Sequence, residues 1–166
     1  MKGNRITKTT TNNRSSAIQA LLLTLILLAT GCRINDTYNA HTNISNDGWT
    51  MRDTQTFTFD IDCQSNYDVN IFLRHDNQYK YRNIWLFVDH ISPDSTITTD
   101  TINIELADQY GRWLGSGWGS TNQIQQALPY TQPLDSGTHH IKVTQAMRDP
   151  LLKGIKNIGI NITPAK

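Results

Sequence analysis

What most constrains this chain is an alternation of apolar and polar side chains with period two, repeated in short segments. Between Thr54 and Ile61, one face carries Phe57, Phe59 and Ile61 and the other Thr56, Thr58 and Asp60. The same rhythm runs through Tyr67, Val69, Ile71 and Leu73, then through Ile102, Ile104 and Leu106. It returns at Ile141 and Val143, and again at Ile158, Ile160 and Ile162. Successive side chains of a strand point to opposite faces, so each segment reads as a half-buried strand. Ser92-Pro93-Asp94, Asp108-Gln109-Tyr110-Gly111 and Asp135-Ser136-Gly137 supply the turns between them. The pattern predicts an all-β fold, an antiparallel β-sandwich that is Ig-like or jelly-roll-like. One short helical turn is expected within it. Asp149 can cap, Pro150 suits the first helical position, Lys153 falls in the last turn and Gly154 can end it.

Ile84-Trp85-Leu86-Phe87-Val88 departs from the alternation, being apolar on both faces. It is expected to be a central strand whose outer side is covered by the rest of the chain; the alternative cover is another protein. Cys63 prolongs the series Phe57, Phe59, Ile61 and is expected to be a small buried side chain.

The N-terminus has a different character. Lys2, Arg5, Lys8 and Arg14 precede an apolar run from Ala17 to Ala29, and the first acidic residue is Asp36. That run fits the apolar core of a signal peptide and falls short of the roughly 20 residues a membrane span needs. It ends in Leu28-Ala29-Thr30-Gly31-Cys32, which resembles a lipobox with alanine where leucine is commonest. The expectation is a lipoprotein signal peptide over 1–31, a mature chain starting at a lipidated Cys32, a polar tether over 32–48 and a sandwich domain over 49–166. Acylation of Cys32 leaves Cys63 as the other thiol, so no intramolecular disulfide is expected. Each buried methylene contributes about 0.8 kcal/mol, so two or three acyl chains hold firmly where one holds marginally. Arg33-Ile34-Asn35-Asp36 lack a strong acidic run, which favours the periplasmic side.

Charge excludes some partners. Four of the 15 basic residues lie before Cys32 and none of the 14 acidic ones does, so the remainder carries 11 against 14, a formal −3. That argues against nucleic acid and offers no basic face to anionic lipid.

Several segments together resemble the gliding motility lipoprotein family of the GldH type. They are Tyr81-Arg82-Asn83-Ile84-Trp85-Leu86-Phe87, Asp100-Thr101, Leu106-Ala107-Asp108, and Gly111-Arg112-Trp113-Leu114-Gly115-Ser116-Gly117. Gln145-Ala146-Met147-Arg148, Leu152-Lys153-Gly154-Ile155 and Ile158-Gly159-Ile160 follow in the same order. The resemblance spans roughly Trp49 to Ile162. It implies a cell-envelope lipoprotein of Bacteroidetes associated with gliding and with the secretion machinery that serves it. It implies no catalytic residues.

The residues themselves select no catalytic constellation. Glu105 is the one glutamate, and the aspartates are scattered over turns. His139-His140, His75-Asp76 and Asp89-His90 look like ligand pairs, but neighbours on a strand face opposite ways and cannot hold one ion. Asp60, Asp62 and Asp68 lack the spacing of a calcium loop. No cofactor, no metal and no enzymatic activity are expected. The glycine-rich stretch lacks the lysine of a phosphate loop and the Gly-x-Ser-x-Gly of a hydrolase elbow. Its alternate glycines leave one side bare, so another backbone or a partner's ring can approach; a structural hairpin is the leading expectation and a docking surface the alternative. The expected docking residues are Trp85, Phe87, Trp113, Gly115, Gly117 and Trp118. A non-catalytic envelope lipoprotein working by protein contact is the leading reading. The alternative is a carbohydrate-binding lipoprotein using Trp113, Trp118 or Tyr81.

Overall fold

The computed structural model describes residues 37–130 and 133–165, so the signal peptide, Cys32 and residues 33–36 lie outside it. Eleven strands form among the described residues: β1 Tyr38–Asn43, β2 Trp49–Thr50, β3 Gln55–Ile61, β4 Tyr67–Asp76, β5 Asn83–Ile91 and β6 Ile97–Glu105. The rest are β7 Ser116–Trp118, β8 Thr121–Ala127, β9 Gly137–Gln145, β10 Leu151–Leu152 and β11 Ile155–Pro164.

Every strand pairing is antiparallel. One sheet has the order β1-β11-β4-β8-β7 and the other β3-β9-β5-β6. If the short strands β2, β7 and β10 are set aside, the eight long strands fall in the order first-eighth-third-sixth and second-seventh-fourth-fifth. That is the order of a jelly roll, which decides between the two expected sandwich types.

The core lies between the sheets, where alternation turns one face of each strand inward. Phe57, Phe59 and Ile61 of β3 meet Ile71 and Leu73 of β4, Leu86 and Val88 of β5, and the isoleucines of β11 in one buried cluster. β11 is buried on both faces around Ile158, Gly159 and Ile160. The reason is local: Gly159 pairs with Phe72 of β4, whose ring occupies the space a Cβ at 159 would need.

Three expectations change. The tether read over 32–48 contributes a strand, because Tyr38 to Asn43 pair with Ile162 to Asn157 of β11. No helix forms at Asp149 to Lys153. Leu151 and Leu152 instead pair with Thr50 and Trp49, and Gly154 uses a φ of +86° to pass close to the Tyr79 backbone. Cys63 lies past the end of β3, where the chain bends and the alternation stops. It is half-buried and disulfide-bonded, not a free thiol in the core. The sequence's other cysteine, Cys32, is outside the described residues.

Candidate functional site

β5 lies between β9 and β6, and its inward side chains Ile84, Leu86 and Val88 are fully buried. Its outward side chains are not covered. Trp85 is 41% exposed and Phe87 48% exposed, which overturns the expectation that the chain itself would cover them. The segment that follows β9 meets the backbone of Trp85. Ala146 N donates to Trp85 O at 2.8 Å, and Trp85 N donates to Met147 Sδ at 3.2 Å.

Around the two rings the sheet face is polar. Asn103 stands opposite Trp85, while Thr101 and Thr144 flank Phe87. Farther out, Thr54 and Thr144 share a hydroxyl hydrogen bond of 2.9 Å, and Thr58 bonds the His140 ring at 2.9 Å. Thr138 donates to Asp60 at 2.6 Å, and Thr99 to Asp89 at 2.7 Å. These side chains answer one another around the two rings; the other exposed apolar side chain of the face is Ile97, 62% exposed opposite Ile91 at the far end of β5.

The glycine-rich stretch forms a hairpin. Ser116, Gly117 and Trp118 of β7 pair with Gln123, Asn122 and Thr121 of β8. Gly119, at φ +67°, takes the first turn position, where glycine suits a two-residue connection. A Cβ at Gly115 would strike the Gln123 carbonyl, and one at Gly117 the Thr121 carbonyl. The backbone that approaches the bare side is therefore the chain's own β8. Trp113 is half-buried: its indole N–H donates to Asn77 Oδ1 at 3.0 Å, and its ring meets His75 edge-on at 4.5 Å. Trp113, Gly115 and Gly117 thus belong to the fold and do not join Trp85 and Phe87. The Trp118 side chain lies outside what is described. Tyr81, weighed for sugar stacking, donates its hydroxyl to Asp149 at 3.2 Å.

Sequence reasoning missed two groupings. His90 of β5 and His139 of β9 stack inside the sandwich, with ring centroids 5.2 Å apart and Nε2 to Nδ1 at 3.0 Å. His139 Nε2 lies 2.8 Å from the Asp135 carbonyl, which needs an N–H there. Its Nδ1 then accepts and His90 Nε2 donates. Burial, then the neighbouring His139, lowers the His90 pKa. His90 borders a cavity of about 290 Å³ that Asp100 and Tyr130 also line. Among the described residues no three His, Cys, Asp or Glu side chains are placed to hold a metal ion. These histidines sit on different strands of one sheet, so adjacency in sequence gave no sign of the pairing.

The second grouping joins the β4–β5 loop to the segment before β10. Asp149 Oδ2 accepts from Lys80 Nζ at 2.8 Å as well as from Tyr81. The hydrogen bond from Lys80 is the leading cause of the lowered Asp149 pKa. Tyr79 is buried beside Tyr81, its hydroxyl donating to Asn83 O at 2.8 Å, and burial raises its pKa. A cleft of about 320 Å³ opens between Tyr79–Tyr81 and Leu151–Lys153.

Fold and site together define a class: a jelly-roll β-sandwich with an uncovered aromatic pair on a central strand. The chain belongs to the GldH lipoprotein family, whose model matches residues 36–162. It is 27% identical over 158 residues to a gliding motility lipoprotein GldH homolog of Christiangramia forsetii, covering 90% of this chain and 96% of that one. It is 25% identical over 151 residues to gliding motility lipoprotein GldH of Flavobacterium johnsoniae, covering 86% and 92%. Among solved structures, a family 35 carbohydrate binding module from Clostridium thermocellum aligns with 11% identity and a TM-score of 0.38, over 78% of this chain and 93% of that one. That likeness is too weak to bear on function. The family places the chain with lipid-anchored cell-envelope proteins of gliding motility.

Proposed function

We propose that this protein is anchored by lipid on Cys32, faces the periplasm and works without catalysis. On this reading it acts by protein–protein contact in gliding motility and in the associated secretion machinery. The observation that carries the reading is the Trp85–Phe87 pair. A central strand in a sandwich ordinarily alternates, and the cross-strand neighbours that flank the two rings, Thr101, Asn103 and Thr144, are polar. Two large rings left in solvent are what a contact surface requires, since aromatic side chains dominate interface energetics.

The test pairs stability with function. A Trp85→Ser/Phe87→Ser double variant removes no core contact, so its thermal midpoint should stay within a few degrees of wild type. Cells carrying it should spread and secrete poorly. A stable double variant that spreads and secretes like wild type would remove this surface from the mechanism. Cys32→Ser tests the anchor separately, by loss of lipid and of membrane fractionation.

A further inference from the structure

We infer that the outer face of the sheet formed by β1, β11, β4 and β8 binds an uncharged glycan segment. Phe72 stacks on a sugar ring there, and the surrounding amides, Asn157 foremost, bond its hydroxyls. The site lies on the sheet opposite the one that carries Trp85 and Phe87, and it does not depend on the contact role proposed for them.

Strand register builds the floor. His41, Gly159, Phe72 and Gln125 stand abreast as one row across the four strands. Two residues along each strand, and so on the same face, lies the row Asn39, Asn161, Asn70 and Ala127. On the other side lies the row Asn43, Asn157, Arg74 and Gln123. Seven of these twelve residues are Asn or Gln, and Phe72 and Ala127 are the apolar side chains among them. The floor is therefore an array of donors and acceptors around one ring.

A bulge turns Asn157 into it. Ile155 pairs with His75 and Asn157 with Arg74, so Lys156 is the extra residue. The phase of β11 reverses across it: Ile155 joins the core, while Asn157 lines a groove of about 390 Å³ with Phe72 and Arg74. Asn157 is 7% exposed, and its Oδ1 is buried without a hydrogen-bond partner. A buried acceptor left empty is costly, and a donor entering the groove would relieve it. Among the described residues, no other amide side chain of the three rows hydrogen-bonds a protein group, nor do those of Arg74 and His41. The polar side chains of the opposite sheet, by contrast, pair with one another.

The lining selects the occupant. A side-chain amide sets a donor beside an acceptor, which matches a sugar hydroxyl that both gives and takes a hydrogen bond. Phe72 is half-buried and lies down on the sheet, its ring over Gly159. A flat ring in that position suits the apolar C–H face of a pyranose. Charge favours neither sign. The Asp, Glu, Lys and Arg residues of the four strands are Asp68, Arg74, Asp76 and Lys156, which sum to zero, and Asp76 holds Lys156 at 2.9 Å. A bound peptide would need apolar pockets for alternate side chains, which a floor of amides does not supply.

The experiment uses the full-length lipidated protein in phospholipid nanodiscs, with no sugar-bearing detergent. Cellohexaose, laminarihexaose, maltohexaose and mannohexaose are each titrated to millimolar concentration in a calorimeter. At least one should bind, with the same affinity at low and high salt because no ion pair forms. Affinity should fall at least tenfold in Asn157→Ala and in Asn161→Ala/Gln125→Ala, the latter with an unchanged thermal midpoint. Trp85→Ser/Phe87→Ser should bind as wild type does, so loss of the contact role would leave this site standing. Four silent titrations, binding that weakens with salt, or binding indifferent to Asn161→Ala/Gln125→Ala would each overturn the inference. In cells, a photocrosslinker at position 39 should give an adduct that stains for sugar. An adduct with a protein free of sugar would make a polypeptide the occupant and overturn the assignment.

Discussion

His90 donates from Nε2 to His139 Nδ1 at 3.0 Å, joining β5 to β9 through two buried rings in the sandwich interior. Phe59 stacks on His139, and the Tyr130 ring lies 5.2 Å from His90. Burial lowers the His90 pKa, and it lowers that of His75 in the same way.

The sign of the pH dependence follows. An unfolded histidine takes up a proton near pH 6.5, whereas these two resist it while folded. Stability is therefore complete above about pH 6.5 and falls as pH drops below it, because the unfolded state binds more protons. Thermal midpoints measured from pH 7.5 to 5 should decline, and His90→Gln should make that decline shallower. An unchanged slope in the variant would mean the pair carries no pH-dependent stability.

Gly159 should tolerate no side chain. A Cβ there meets the Phe72 ring and, at 2.5 Å, the Ala40 carbonyl of β1. Gly159→Ala should destabilise by about 1–3 kcal/mol in urea unfolding. Adding Phe72→Ala should not restore stability, because the carbonyl cannot give way as a ring can.

Defects in the glycine-rich hairpin should track the fold. Gly115→Ala combines a φ of +83° with a clash on the Gln123 carbonyl, so it should lower the thermal midpoint. Trp113→Phe should cost about 1 kcal/mol by removing the hydrogen bond to Asn77. Loss of spreading at Trp113 without loss of stability would return that residue to the docking surface.

The Cys32 sulfur can carry a lipid thioether or join a disulfide, but not both. With two cysteines in the sequence, lipidation should make Cys63 alkylatable in the unreduced, denatured mature protein. A Cys32→Ser precursor should behave alike at Cys63 but lack the lipid mass. Intact-mass spectrometry decides; a mature protein without lipid that resists alkylation would count against Cys32 as the anchor.

Legibility in the sequence followed the solvent. β3, β4 and β9 bury one face and wet the other, so their alternation was plain. β1 was hidden because Tyr38, Ala40 and Thr42 are only half-buried, and its neighbours are Asn and His. An edge strand held largely by backbone bonds needs no strong apolar pattern. At Asp149 to Gly154, residues that suit a helix were put to other uses: a carboxylate for Lys80 and Tyr81, and a glycine for close passage by Tyr79. Trp85 and Phe87 were legible as an anomaly of β5. The cleft was not, because its walls come from loops separated by some 70 residues.

The pairing of β1 with β11 also decides how the domain carries load. Both termini leave from the same end, so pulling on Tyr38 and Pro164 would unzip the six pairs one after another. Tension between Tyr38 and the opposite end of β11, entered beside Leu151, runs along the strands, so all six pairs resist in shear together. Force spectroscopy should find higher rupture forces when the handle is moved from the C-terminus to residue 151. The same strand that looked like slack tether would then be the mechanical clamp of the protein.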